Sequence, residues 1–329
     1  MTTKPTAIQA ISSQPRASTT IARDFAIRTE GLAKRFGDVQ ALAPLNLEVG
    51  VGEVLGFLGP NGAGKTTTIR LLLGFLRPTS GRAEIFGLDV QRDTVAAHRR
   101  VGYVAGETSL WPSLTGTETL HLFGQVQGQV DLAYRDELIE RFAFDPAKTV
   151  RSYSKGNRQK LGLIAGLMSR ADLLLLDEPT SGLDPLMERE FRRCILEAKA
   201  AGQTVLLSSH VLSEVEALCD RVAILRAGRV VEVGTLAEMR HLSALSIEAT
   251  FTTTPPDLSQ VPGVSDIEVD GNRLRCQVRG SVEPLLERLT AARVTQLLSR
   301  EPSLEELFLA QYGGEPAATN EHRPAAVRR

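Results

Sequence analysis

The chain has 329 residues, long enough for one large domain and a smaller one. Its 42% hydrophobic and 23% charged residues suit a globular protein with a sizeable core and exclude a low-complexity chain. A net charge of −1 supplies no long-range pull toward nucleic acid or anionic lipid, which argues against a nucleic-acid partner.

In chain order, residues 1–24 are rich in Thr, Ser and Ala and lack the apolar core of a signal peptide. They read as a disordered lead-in, and 313–329 as a disordered tail. No apolar run approaches the ~20 residues needed to span a bilayer. Between the tails, short apolar runs alternate with amphipathic stretches, the pattern of an α/β fold. Strands are expected at 26–29, 45–49, 54–58, 83–86, 101–104, 173–177, 204–208 and 222–225, with 229–233 returning as a hairpin after Gly228. Residues 115–170 show no strand pattern and open on Thr115 and Glu118 at capping-box spacing. They predict a helical subdomain inserted into the sheet region. From 243 to 312 the pattern changes. Leu245, Ile247, Ala249 and Phe251 alternate, as do Leu274, Cys276 and Val278, while Val282, Leu285, Leu286 and Leu289 follow helical spacing. Ser303 and Glu306 form a further capping pair. This is a small C-terminal α/β accessory domain, without the spacing of a catalytic site. Cys194, Cys219 and Cys276 stand in no metal or redox spacing and read as buried apolar residues in a reducing compartment.

Gly59, Pro60, Asn61, Gly62, Ala63, Gly64, Lys65 and Thr66 fit G-x-x-x-x-G-K-S/T, directly after the apolar run 54–58 and before a helix opening at Thr67. Strand, glycine-rich turn and helix together identify a P-loop. Backbone N–H groups converge there on anionic phosphates at a helix N-terminus, Lys65 adds a point charge, and Thr66 offers a hydroxyl to Mg²⁺. Downstream, four leucines run into Asp177 and Glu178, as expected of a strand covered on both faces that ends at the ligand edge of the sheet. Asp177 is the candidate to hold Mg²⁺, directly or through water, and Glu178 to polarise the attacking water. His210 follows another strand. A lone histidine is more often structural, but a neutral imidazole at that strand end could hydrogen-bond a γ-phosphate or the water.

With these residues in place, the chain resembles the ATPase subunits of ABC transporters over roughly residues 25–233. Tyr153, Ser154, Lys155, Gly156, Asn157, Arg158 and Gln159 stand at the place of the family signature LSGGQ. The resemblance implies a P-loop NTPase (RecA-like) core with an antiparallel β subdomain and an inserted helical subdomain, together spanning 25–242. It implies ATP and Mg²⁺, and a head-to-tail dimer, with itself or a close relative, in which Ser154, Gly156 and Asn157 close on the partner's ATP. Phe36 stands where an aromatic stacks on adenine, the alternative being a core phenylalanine. Ser181, Gly182, Leu183 and Asp184 resemble the loop coupling the two ATP sites. Glu178 matches the catalytic glutamate and His210 the switch histidine, which argues against a nucleotide sensor without turnover. Two positions depart from the family. Gly106 falls where a Gln is usual, with Glu107 beside it as a candidate substitute ligand, and Lys155 replaces the first signature glycine.

The wording around these motifs, and the C-terminal domain, are similar to bacterial exporters of antibiotics and other drugs. That resemblance implies a separate transmembrane permease docking near residues 107–114, and a peripheral location on the cytoplasmic face of the cell membrane. Ribosome-acting relatives generally carry two ATP units in one chain, and chromosome-maintenance relatives a long coiled coil between P-loop and signature. Neither feature is present in this sequence.

Overall fold

The computed structural model describes residues 25–106, 109–128, 130–241 and 245–300. The chain begins with β1 (Phe25–Phe36), β2 (Val39–Gly50) and β3 (Val54–Leu58), then α1 (Lys65–Leu72), β4 (Ser80–Ile85), β5 (Leu88–Asp89), α2 (Thr94–His98) and β6 (Val101–Val104). Three helices follow, α3 (Gly116–Gln127), α4 (Leu132–Arg141) and α5 (Lys155–Leu167). The sheet resumes with β7 (Leu173–Asp177), α6 (Pro185–Ala200), β8 (Thr204–Ser209), α7 (Leu212–Leu218), β9 (Arg221–Arg226) and β10 (Arg229–Thr235). After α8 (Leu236–His241) come β11 (Leu245–Phe251), β12 (Val264–Asp270), β13 (Arg273–Val278), α9 (Glu283–Ala291) and β14 (Val294–Arg300).

The site is organised by a six-stranded sheet of order β10-β9-β3-β8-β7-β6, parallel from β9 to β6 with β10 added as an antiparallel hairpin. The leucine run of β7 shows why it forms. Leu174 and Leu176 enter one hydrophobic core, Leu173 and Leu175 the other, and all four are buried. Each buried leucine contributes about 2 kcal/mol relative to exposure, so a strand lacking this double apolar face would not occupy the middle of the sheet. One core is shared with α5, α6 and α7. The other lies under α1 and a four-stranded antiparallel sheet of order β2-β1-β4-β5.

The helical subdomain starts where its capping signal stands. The Thr115 hydroxyl accepts from Glu118 N–H, and the Glu118 carboxylate accepts from Thr115 N–H at 2.8 Å. Asp131 caps α4 in the same way, accepting from Tyr134 N–H at 2.9 Å. Arg141, at the end of α4, joins this layer to α6: it bonds Glu190 and Glu197 there and Glu137 on its own helix.

Two expected strands prove longer. The run expected at 26–29 extends to Phe36, and the run at 45–49 starts at Val39. Register shifts in their pairing, between Thr29 and Leu32 and again around Lys34, break the period-two pattern that marks a strand in sequence. In the C-terminal sheet, of order β12-β13-β11-β14, the alternating runs form the central strands and bury their apolar side against Leu285 and Leu289 of α9. Strands β12 and β14 were not anticipated. Both are edges, exposed along nearly their whole length, and so carry no apolar alternation. The Ser303 and Glu306 pair lies outside the described residues. All three cysteines are free and buried, and burial pushes the Cys194 thiol up to about 12 and that of Cys276 to about 11. Among the described residues, no helix is long and apolar enough to cross a membrane.

Candidate functional site

Three neighbouring strands, β3, β8 and β7, deliver their carboxyl ends to one edge of the large sheet. Leu58 pairs with Ser209, and Ser208 with Asp177. The P-loop leaves β3, His210 leaves β8, and Glu178 leaves β7. Residues far apart in sequence therefore meet because of strand order.

Residues 59–66 wrap the start of α1. Gly64 is its N-cap, at φ 109°, and a side chain there would meet the Ala41 carbonyl at 2.8 Å, so both conformation and space demand glycine. Pro60, Asn61 and Gly62 are exposed, Ala63 is buried, and Thr66 and Thr67 are half-buried at the first turn of the helix. Lys65 is only 4% exposed. An ammonium that deep must be met by acceptors. It donates to the carbonyls of Gly59 at 2.6 Å and Pro60 at 3.2 Å, and pairs with Glu178 Oε1 at 3.2 Å.

Asp177 is buried and accepts from the Ser208 hydroxyl at 2.7 Å. That hydroxyl also accepts from the Glu178 N–H at 3.1 Å, so Ser208 fixes both acidic residues to β8. Glu178 has φ 47°, a left-handed conformation that costs a non-glycine residue about 1–2 kcal/mol. The turn aims its carboxylate across the edge, where Oε2 lies 3.2 Å from His210 Nδ1 while Oε1 meets Lys65. Tyr103 of β6 is partly buried nearby, and its phenol is raised by burial first and by the Asp177 charge second. The Asp177 carboxylate and the Thr66 hydroxyl are hard oxygen donors of the kind Mg²⁺ prefers.

The other expected residues are distributed differently. Phe36 is 49% exposed at the tip of the β1–β2 hairpin, with the Lys34 ammonium 5.0 Å from its ring centre, so it is not a core phenylalanine. Gly106 lies against the end of β7, and a side chain there would meet the Asp177 carbonyl at 2.9 Å and Glu178 Cβ at 3.7 Å. Glu107 lies outside the described residues. Ser154 caps α5, accepting from Asn157 N–H at 3.3 Å, and both Ser154 and Lys155 are exposed. A Cβ on Gly156 would meet the Gly182 carbonyl at 2.8 Å, which sets the signature turn against the 181–184 loop. Asp184 caps α6, accepting from Leu186 and Met187 N–H. Among the described residues, no hydrogen bond or ion pair joins the signature residues to residues 59–66 of the same chain.

The roles of two residues escaped the sequence reading. Ser208 looked like an ordinary strand residue, and only the β7–β8 pairing makes it a bridge. Gln159 is buried and donates to the Pro179 carbonyl at 2.8 Å, tying α5 to the turn after Glu178. A glutamine on the apolar side of a helix was the available signal.

The family model described as ABC transporter matches residues 42–181. The daunorubicin resistance ATP-binding protein DrrA3 of Streptomyces coeruleorubidus is 37% identical over 308 residues, which cover 89% of this chain and 97% of that protein. The bacitracin transport ATP-binding protein BcrA of Bacillus licheniformis is 40% identical over 209 residues, 63% of this chain and 68% of the relative. A solved structure of an ATP binding subunit of an ABC transporter is 30% identical, with a TM-score of 0.61 over 65% of this chain and 92% of the other. Likeness along almost the full length of DrrA3, with a P-loop on a parallel sheet, makes this chain a member of the ABC transporter family of ATP-binding subunits.

Proposed function

We propose that this chain binds and hydrolyses ATP to drive a separate transmembrane permease that exports an antibiotic, a drug or another small hydrophobic compound. The observation that carries the reading is the Glu178 carboxylate, held between the Lys65 ammonium and the His210 imidazole at the strand ends. The names of the similar resistance and transport proteins support the export of such compounds.

The backbone amides of residues 59–66 and Lys65 bind the triphosphate, with Gly59, Gly62, Gly64, Thr66 and Thr67 in the cradle and Phe36 stacked on the adenine. Lys65 gives up its contact with Glu178 in favour of the β- and γ-phosphates. Glu178 is then free to accept a proton from the attacking water, with His210 hydrogen-bonded to the γ-phosphate or that water. Thr66 and Asp177 are the residues that would hold Mg²⁺, which when bound neutralises charge developing on the phosphates.

Ser154, Gly156 and Asn157 are exposed or half-buried. They serve a second ATPase subunit, identical or closely related, with Asp184 beside the crossing. The nucleotide-binding unit spans 25–242, its helical part about 115–170, and 243–312 is an accessory domain. The subunit works at the cytoplasmic face of the membrane, with the permease docked around 107–114 and the helical layer.

Glu178→Gln tests the assignment. Steady-state ATP turnover should fall by about 10²–10⁴-fold while ATP binding persists and a stable ATP-bound dimer accumulates on gel filtration. Unchanged turnover would remove Glu178 from its role.

A further inference from the structure

Glu214 stands four residues beyond His210, on α7, and is 2% exposed. A carboxyl at that depth is costly unless its oxygens are met. Oε2 accepts from the Ser209 hydroxyl at 2.7 Å, and the Thr180 hydroxyl, in the turn behind Glu178, also stabilises the ionised group. The same Ser209 hydroxyl accepts from the Val211 N–H at 2.9 Å, so it grips the backbone on both sides of His210. The second oxygen, Oε1, is buried with no hydrogen-bond partner. On α6, which packs against α7, Nε of Arg192 is buried and unpartnered as well. Arg192 acts on the carboxyl through space, and among the described residues no ion pair joins them. Burial raises the Glu214 carboxyl above the ordinary carboxylate range against the hydroxyls and Arg192, while Glu188, one turn before Arg192, raises it further.

Native proteins leave few buried polar atoms unmet, and two of opposite charge on facing helices invite an explanation. We propose that Glu214 is a positioning residue for hydrolysis, holding the His210 turn through Ser209, anchored by Thr180, and linking that turn to α6 through Arg192. The role rests on the reading of Glu178 and His210 given above. Asp184 caps the same α6 at the loop between the signature turn and the catalytic edge. A movement of α6 toward α7 closes the Arg192–Glu214 pair and satisfies both atoms. A displacement at the dimer-facing loop thereby reaches the imidazole through α6, Arg192, Glu214 and Ser209. Glu214 touches no reacting atom and acts through His210.

The test uses the full chain assembled with its membrane partner, measuring kcat, KM, nucleotide affinity and Tm. Glu214→Ala should lower kcat about tenfold or more while ATP affinity stays within about twofold. Glu214→Gln keeps the shape and one acceptor for Ser209, and should recover kcat to within about threefold of the parent. Because Glu214 acts through His210, adding Glu214→Ala to His210→Ala should lower kcat no further. Three results overturn the role: a Glu214→Ala kcat within about twofold of the parent, losses that multiply with His210→Ala, or a loss explained by weakened ATP binding. If Glu214→Ala fails to fold, Ser209→Ala and Thr180→Val remove the partner hydroxyls one at a time. Both should lower kcat, and parental kcat in both overturns the role. A parent assembly with no ATP turnover would instead sink the ATPase reading itself.

Discussion

The P-loop edge and the turn at Ser154 belong to one chain, yet they are built in opposite ways. At the P-loop edge the polar groups meet partners within the chain: buried Lys65 meets two carbonyls and Glu178, buried Asp177 the Ser208 hydroxyl, and half-buried Glu178 the His210 ring. At the signature turn Ser154 and Lys155 are exposed, and the only bonded partner of the Ser154 hydroxyl among the described residues is its own helix. One region finds its partners within the chain and the other leaves its side chains exposed, as the proposed contact with a second subunit requires. The difference teaches that burial demands internal partners for a charged group, while an exposed helix N-terminus leaves its groups open to a partner from outside the chain.

The comparison breaks first at Lys65. Replacing it by Ala removes charge-assisted contacts to phosphate worth about 2 kcal/mol each, so ATP affinity should fall about 10²–10³-fold, as read by titration calorimetry. An affinity within fivefold of the parent would mean the cradle binds without its ammonium.

Arg141 tests how the two regions are held together. Its side chain is 8% exposed and bonds Glu190 and Glu197 across the boundary between the helical layer and α6. Arg141→Ala strands Glu190 in a half-dry site and should cost about 3 kcal/mol in urea unfolding. A loss below 1 kcal/mol would show that apolar packing alone carries the junction.

A smaller effect separates the two regions directly. Ser154→Ala should leave ATP affinity of the isolated chain unchanged while slowing turnover of the assembly about tenfold to a hundredfold. Mixing Lys65→Ala chains with Ser154→Ala chains should return about a quarter of the parental sites, because half of the dimers then hold one intact composite site. No recovery would argue that each chain completes its own site.

The smallest effect concerns how the helical layer begins. Thr115→Ala removes an N-cap and should cost about 1 kcal/mol by thermal unfolding. The Thr115 backbone N–H, and then its hydroxyl, hold the Glu118 carboxyl below its ordinary range. That contribution is present above the unfolded carboxylate pKa and fades as pH falls through the folded one, so Glu118→Gln should differ from the parent at neutral pH and converge with it in acid. A difference that grows in acid would put the sign the wrong way round.

Much of the fold was legible because its signals are local. The P-loop is a run of eight residues, the buried strand β7 is four leucines before two acids, and the α3 cap is a spacing of three. Edge strands β12 and β14 were illegible for the converse reason, since exposed strands need no apolar alternation. Strand β1 ran past its expected end because bulges interrupt its periodicity.

The residue types at the site were decided by the sequence alone, because phosphate, metal and proton chemistry restrict which side chains can serve and how closely they follow one another. Their meeting was decided by tertiary structure. Lys65, Glu178 and His210 converge because β3, β8 and β7 are neighbours in the sheet, an order that no local spacing encodes. The crowding behind Gly106 and the unmet pair of Glu214 and Arg192 likewise depend on elements distant in the chain. Burial of a polar atom is a property of what packs around it, and only the folded chain supplies those surroundings.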